Sequence, residues 1–518
     1  MPVEALQLDT LDPRVINYIR ELETNLKEIK NDYLILKEKY DLVIYKRFAR
    51  SAEQFPIDEK QQLLFSEEAE QAEQTQAGSC VAEKQEIKSY VRKKPGRKPI
   101  DPNLPRREKV IDIPETEKTC ACGVQMSRIG EETSEKVEII PPSMYVLKTI
   151  RPKYACRGCE GTEEEEKPVV RIAPVPPAII PRSIASASLL SYCFIQKYQD
   201  HLPFYRQELQ FQRIGIEISR QDMSNWQQQV YAKLKPLFVL MKEMLKSGPV
   251  IQMDETPVQV MGEEGRQDTQ KSYMWLSRGG PPGKPVVMYE YRETHSGRHA
   301  KEILSGYSGY LQTDGYEGYA SAVKDMPGII HVGCFAHARR KFFEAAKSIK
   351  KPQSAEEGIK HIRKLYELED RLRKENLLES NFLSRRKEEA GPMLASFKSW
   401  LDKRAIDVLP SSLLGNAIRY TLNQWDKLTA YLESPYLTPD NNGCENAIRP
   451  FVLGRKNWLF NKSPEGAESS CGIYSLIETA KQNGLEPLLY LRELFERCPL
   501  ADSSDDWKKL LPWNIFTP

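Results

Sequence analysis

The chain has 518 residues, with 75 Lys and Arg against 73 Asp and Glu. That length exceeds what one hydrophobic core organises, so at least three domains are expected, and the near-neutral balance says nothing about nucleic acid until charge is followed along the chain. No run of about 18 apolar residues appears and Met1 opens a polar, acidic stretch, so neither membrane insertion nor secretion is indicated and a cytosolic protein is expected. Ten cysteines are scattered along the sequence. Only four of them pair at short spacing, which in a reducing compartment favours metal over disulfide.

From Ile19 the apolar residues Leu22, Leu26, Ile29, Tyr33, Leu36, Tyr40 and Val43 follow in steps of three and four. This heptad stripe predicts a coiled-coil helix within 1–50, with a seam for a second copy; one long helix packed on its own domain is the alternative. Residues 51–110 read as a Glu- and Gln-rich linker followed by a basic arm. Between Lys88 and Lys109 nine Lys or Arg face two acids. Pro95-Gly96-Arg97-Lys98-Pro99 loosely resembles an AT-hook, a shape for laying a guanidinium into a minor groove. Arg92, Lys93, Lys94, Arg97 and Lys98 are therefore candidate DNA ligands, against the plainer reading of a solvated basic linker.

Cys120-x-Cys122 and Cys156-x-x-Cys159 supply four thiolates, the set that satisfies tetrahedral zinc. Two β-rich runs between the pairs, Lys136–Ile140 and Tyr145–Ile150, predict a hairpin that would bring them together in a small β-rich zinc-binding module over 111–168. A helical region, 183–245, follows. In it Leu202–Arg213 reads as a helix, Gly215 as a turn, and Ser219 as the N-cap of a second helix that opens with Arg220, a helix-turn-helix pattern suited to phosphates and base edges. Two ordinary packed helices would look the same.

Pro249–Asp254 is an apolar strand ending in a carboxylate. Ser272–Ser277 and Pro285–Tyr291 read as two more strands joined by a Gly-Gly-Pro-Pro-Gly turn, His295–Tyr307 as helical, Gly309–Thr313 as a fourth strand ending in Asp314, and Ile329–Cys334 as a fifth. This is the strand order of an RNase H-like α/β catalytic core (246–337), in which the first and fourth strands adjoin and Asp254 meets Asp314. Neighbouring carboxylates repel, and divalent cations offset that repulsion. A charged helical insertion (338–438) precedes Glu445, which sits at the start of a helix in the remainder of the core (439–482), with Arg449 one turn later. The His331, Cys334, His337 cluster invites zinc, but only core packing is expected of Cys334, and His337 is expected to support a carboxylate or phosphate.

Met253-Asp254-Glu255-Thr256, Thr313-Asp314-Gly315-Tyr316, Ala336-His337-Ala338-Arg339-Arg340-Lys341, Glu445-Asn446 through Arg449-Pro450, and Gly454-Arg455-Lys456-Asn457-Trp458 closely resemble the large transposase of insertion-sequence family sixty-six. The resemblance spans nearly the whole chain, including the zipper, the zinc module and a C-terminal tail (483–518). It implies a multidomain α+β DDE transposase, in which Asp254, Asp314 and Glu445, assisted by His337, hold two Mg²⁺ (or Mn²⁺) ions for in-line phosphoryl transfer. It implies that Arg339, Arg340, Arg449, Arg455 and Lys456 position phosphates of double-stranded DNA, at terminal inverted repeats and at the target. Trp458 would stack on a base or serve simply as a core aromatic. A homo-oligomer at the bacterial nucleoid is expected, with small accessory proteins and no membrane. A structure-selective nuclease and a dimeric DNA-binding regulator are the competing functions; the regulator leaves the three acids without a purpose.

Overall fold

The computed structural model describes residues 12–48, 144–155, 170–348 and 352–516. Helix α1 (Pro13–Phe48) is one continuous helix of 36 residues. Its heptad stripe stays in solvent, with Leu26, Ile29 and Leu36 each about two-thirds exposed. Among the described residues its C-terminal third touches the rest of the fold, through Lys46 Nζ to Glu344 Oε1 at 2.6 Å and the Leu413 N–H donating to Glu38 Oε2 at 3.2 Å.

The segment 77–175 is a separate compact unit. Strands β1 (Lys153–Ala155) and β2 (Val170–Ile172) pair antiparallel in it. Tyr145–Ile150, predicted to be a strand, is irregular, and its side chains are open to solvent. β-branched and aromatic residues mark a stretch fit for pairing but do not supply a partner or a surface to bury them. Lys136–Ile140 and the four paired cysteines lie outside the described residues.

Helices α2 (Ala187–Tyr198), α3 (Phe204–Arg213), α4 (Arg220–Lys233) and α5 (Lys235–Lys246) lead into the core. Gly215 turns the chain at φ +82°, a conformation only glycine adopts freely, and Ser219 caps α4 in a reciprocal box with Asp222.

The sheet comprises β3 (Val250–Val260), β4 (Lys271–Gly279), β5 (Val286–Arg292), β6 (Gly309–Gln312) and β7 (Ile329–Val332), with short helices α6 (Gly297–Ile303) and α7 (Glu317–Val323) after β5 and β6. The order is β5-β4-β3-β6-β7; β3 runs antiparallel to β4 and parallel to β6, and β8 (Phe460–Asn461) joins the far end of β3. Strand β3 does not end at Asp254 as the sequence suggests but continues through Pro257 to Val260. Its β6 partners stop at Gln252 and its β8 partners begin at Gln259, so Pro257 falls where that flank has no ladder to which an N–H must donate.

After β7 come α8 (Phe335–Ser348), α9 (Gln353–Lys374), α10 (Glu379–Asp407), α11 (Leu413–Asn423) and α12 (Trp425–Thr429), packed around Phe342, Leu365, Phe397 and Leu401. Arg386 is fully buried there. It donates to Glu369 Oε1 at 2.6 Å and to the Tyr431, Ser434 and Leu437 carbonyls, fixing the path back to the sheet. That path enters α13 (Asn442–Trp458) and then α14 (Pro464–Gln482), which covers the outer edge of β5. Thr479 and Ser475, one helical turn apart, accept the Val287 and Tyr289 N–H groups at 3.0 and 2.9 Å. This spacing of about 6 Å on a helix matches alternate residues of a strand and blocks edge-to-edge pairing. Helices α15 (Pro487–Arg497) and α16 (Ser504–Lys509) close the fold, with Phe495 edge-on to Phe194 of α2 at 5.9 Å.

Candidate active site

The parallel register pairs Gln252 with Gln312, so Asp254, within β3, and Asp314, just past the end of β6, each lie two residues beyond a paired position and stand at the same level. Buried amides lock that register: Gln252 Nε2 donates to Gln312 Oε1 at 2.9 Å, and Gln312 Nε2 to the Thr438 carbonyl at 2.7 Å. Thr438 belongs to the segment that Arg386 holds, so the helical insertion is registered against the sheet at this point. Asn441 Nδ2 then donates to the Met253 carbonyl at 2.9 Å. At Gly443 an added Cβ would stand 2.6 Å from Gln252 Oε1 and 3.0 Å from Arg278 Nη1, so α13 approaches β3 this closely only with glycine there. These contacts hold the first turn of α13, which carries Glu445, against the Gln252–Met253 part of β3 that leads into Asp254.

Burial, then the charges of Glu255, Glu445 and Asp314, hold the Asp254 carboxyl well above its ordinary range. Burial also raises Asp314, opposed by the Tyr316 N–H on its Oδ1 at 2.9 Å and by His295 and Arg340. Arg340 Nη2 and His337 Nδ1 each lie 3.7 Å from a Glu445 oxygen. Burial and the neighbouring Arg340 and Lys341 push His337 down to about 3, which leaves a neutral imidazole, and its contact with Glu445 is longer than a hydrogen bond. Arg449 also senses Glu445. A half-buried group of hard oxygen donors with only partial cationic compensation fits a hard divalent cation.

Five further residues tie this group together, of which Tyr273, His295 and Tyr319 carry no sequence motif. His295 is sandwiched between Tyr273, at 4.6 Å and 11°, and Tyr316, at 4.0 Å and 9°. Its Nε2 meets Glu255 Oε1 at 2.5 Å, and the Tyr319 hydroxyl donates to the other Glu255 oxygen. The Tyr316 hydroxyl donates to the His295 carbonyl at 2.5 Å, and the Glu255 N–H to Asp254 Oδ1 at 2.9 Å. A continuous path therefore runs from Asp254 through Glu255, His295 and Tyr316 to Asp314. Glu255 and Tyr316 stand inside recognisable motifs; His295 carries no local signal, because its partner lies 40 residues away.

Other sequence-derived candidates fall out differently. Arg339 is only 4% exposed and faces Tyr366 inside the insertion, so it does not present its guanidinium to DNA. Arg455 donates to Thr256 Oγ1 at 3.0 Å and to the Pro257 carbonyl, tying α13 to β3. Trp458, half-buried, packs edge-on against Phe451 at 5.5 Å. Lys456 is exposed, as is Arg220 in the first turn of α4. Arg92, Lys93, Lys94, Arg97 and Lys98 lie outside the described residues. His331 bonds Thr313 Oγ1 at 2.8 Å, away from the set of Cys334, His337 and Glu445, whose ligand atoms all lie within 4.8 Å of one another.

Residues 182–469, more than half of the chain, match the family described as "Transposase IS66 family". The chain belongs to that family. Residues 117–160 match the "zinc-finger binding domain of transposase IS66", a stretch that contains Cys120, Cys122, Cys156 and Cys159, and so support structural zinc. Residues 35–108 match "Transposase C of IS166 homeodomain" and 475–513 the "IS66 C-terminal element". Among similar proteins, the uncharacterized protein y4jD of Sinorhizobium fredii is 31% identical over 423 residues, covering 80% of each chain. The uncharacterized protein y4qI of the same organism is 32% identical over 430 residues, covering 81% of this chain and 77% of its own. No helix among the described residues is long and apolar enough to cross a membrane.

Proposed function

We propose that this IS66-family chain is a DDE transposase with an RNase H-like core, which cleaves the ends of its element and joins their 3′ hydroxyls to target DNA. The observation that carries this reading is the pairing of β3 with β6, which sets Asp254 level with Asp314, together with the Asn441 bond to the Met253 carbonyl, which brings the start of α13 and its Glu445 against β3. Asp254, Asp314 and Glu445 would hold two Mg²⁺ or Mn²⁺ ions. Bound there, the cations supply Lewis-acid stabilisation of the attacking and leaving oxygens. Arg340 and Arg449, beside Glu445, orient the scissile phosphate, and Lys456 contacts the backbone further along α13. Neutral His337 limits the movement of Glu445 and adds no charge that would compete with a cation. Water attacks first and frees a 3′ hydroxyl, which then attacks a target phosphodiester in line. The basic arm and the exposed N-terminus of α4 would recognise the terminal repeats.

Holding two DNA ends calls for more than one copy, and the bare stripe on α1 supports a zipper. Leu26→Glu with Ile29→Glu is expected to halve the mass in solution measured by light scattering; an unchanged mass would remove α1 from the interface. The zinc module carries a separate expectation. Elemental analysis should find one zinc per chain, and Cys156→Ser should lose it while the core still unfolds cooperatively; full zinc retention in that variant would reassign the ligands.

The function is tested by incubating the protein with Mg²⁺, a plasmid and labelled DNA carrying the sequences that flank its own coding region. Label joined covalently to the plasmid is expected. Cleavage without joining would favour the nuclease, and binding without either reaction a regulator or a missing accessory protein.

A further inference from the structure

The α9–α10 hairpin treats its charges differently at its two ends. Near the connecting loop the arginines are matched: Arg371 with Glu389, Arg373 and Arg386 with Glu369, and Arg385 with Glu375 and Glu389. At the opposite end Lys360 and Lys364 of α9 and Lys403 of α10 line one groove of about 420 Å³, and none of the three has an ion pair among the described residues. Among the described lining residues the one carboxylate is Glu357, 3.7 Å from Arg404, so three lysines against it leave the groove with a positive excess. Lys360 and Lys364 are one helical turn, about 6 Å, apart along α9.

The floor of the groove is rigid. His361 stacks on Phe397 at 5.1 Å and 14°, and Trp400 lies 5.7 Å from His361 and 6.0 Å from Phe342. Phe342 sits on α8, five residues after His337, so the groove is built on the same helix that carries His337 and Arg340 to the acids. Ser396 and Ser399 add hydroxyl donors along the rim. A cleft for a small organic ligand would be lined mainly by apolar side chains. This one offers ammonium groups and hydroxyls over an aromatic floor, the chemistry of a polyanion.

We propose that this groove binds the phosphodiester backbone of duplex DNA, beyond the segment engaged at the acids. The proposal rests on the reading of the chain as an enzyme acting on DNA. Three lysines neutralising three phosphates release counterions, which adds about 2.7 to the slope of log affinity against log salt concentration.

The test compares full-length protein with Lys360→Gln/Lys364→Gln/Lys403→Gln and with the corresponding triple Lys→Arg variant. Binding of a labelled duplex that carries the element end and extends well past it is measured across a salt series, after thermal unfolding has checked that each variant folds. The Gln triple should lower the slope by about 2–3 and weaken binding on the order of 10- to 100-fold at low salt, and the Arg triple should restore both. A wild-type slope in the Gln triple, with the wild type binding normally, overturns the groove alone. Failure of the wild type to bind this duplex overturns the DNA-processing reading and the groove with it.

Discussion

Asp254→Asn is expected to unfold at a higher temperature than wild type in Mg²⁺-free buffer at neutral pH, although it removes a residue proposed to be essential. Asp254 is half-buried among like charges, and partial desolvation with those charges holds its carboxyl well above its ordinary range. A carboxyl raised in the folded state costs stability when it must ionise. The penalty is absent below the unfolded value of about 3.9 and grows as pH rises toward the folded value. The variant's advantage should therefore be largest at neutral pH and vanish near pH 4. A gain of about 1 kcal/mol would appear as roughly 2–4 °C. Added Mg²⁺ should reverse the order, because a ligand that binds the folded wild type stabilises it by mass action and the variant has lost part of the site. Equal melting of the two proteins at every pH would mean that Asp254 is not under electrostatic load.

His295→Ala is the second large effect. The ring sits between Tyr273 and Tyr316 and bonds Glu255, so its loss frees the backbone neighbours of both Asp254 and Asp314. Groups that orient metal ligands without touching the metal typically account for about 10–100-fold in affinity or activity. The Mg²⁺ concentration for half-maximal joining should rise by that factor, with DNA affinity unchanged. Glu255→Gln keeps the shape and a polar contact to His295 and should cost less than His295→Ala. An unchanged Mg²⁺ requirement in His295→Ala would reduce the stack to packing.

Much of the site is legible in the sequence because carboxylates at the ends of apolar runs announce themselves. Asp254 and Asp314 are picked out as candidates that way, and the parallel pairing of β3 with β6 follows from the order of the runs. What the sequence hides is long-range. That β3 runs on through Pro257 depends on where β6 stops and β8 begins, and His295 acquires its role from rings on β4 and from the loop after Asp314. Arg339 is a different case. Phe335, Ala338, Arg339 and Phe342 recur at steps of three and four on the buried face of α8, so helical periodicity already placed this arginine inward, while the run of basic residues drew it outward. The heptad stripe of α1 was plain as a pattern. Its almost complete exposure could not be read from the chain, because burial depends on whether the parent domain offers a surface to cover it.

The most direct test compares covalent joining of labelled element ends to plasmid by wild type, Asp254→Asn and Asp314→Asn, at protein concentrations giving equal DNA occupancy in Mg²⁺. Both variants should bind DNA as wild type does and lose joining by about 10³-fold or more, since removing one member of a group that acts as a unit removes nearly the whole effect. Joining at the wild-type rate by either variant would show that Asp254 on β3 and Asp314 after β6 do not carry the chemistry.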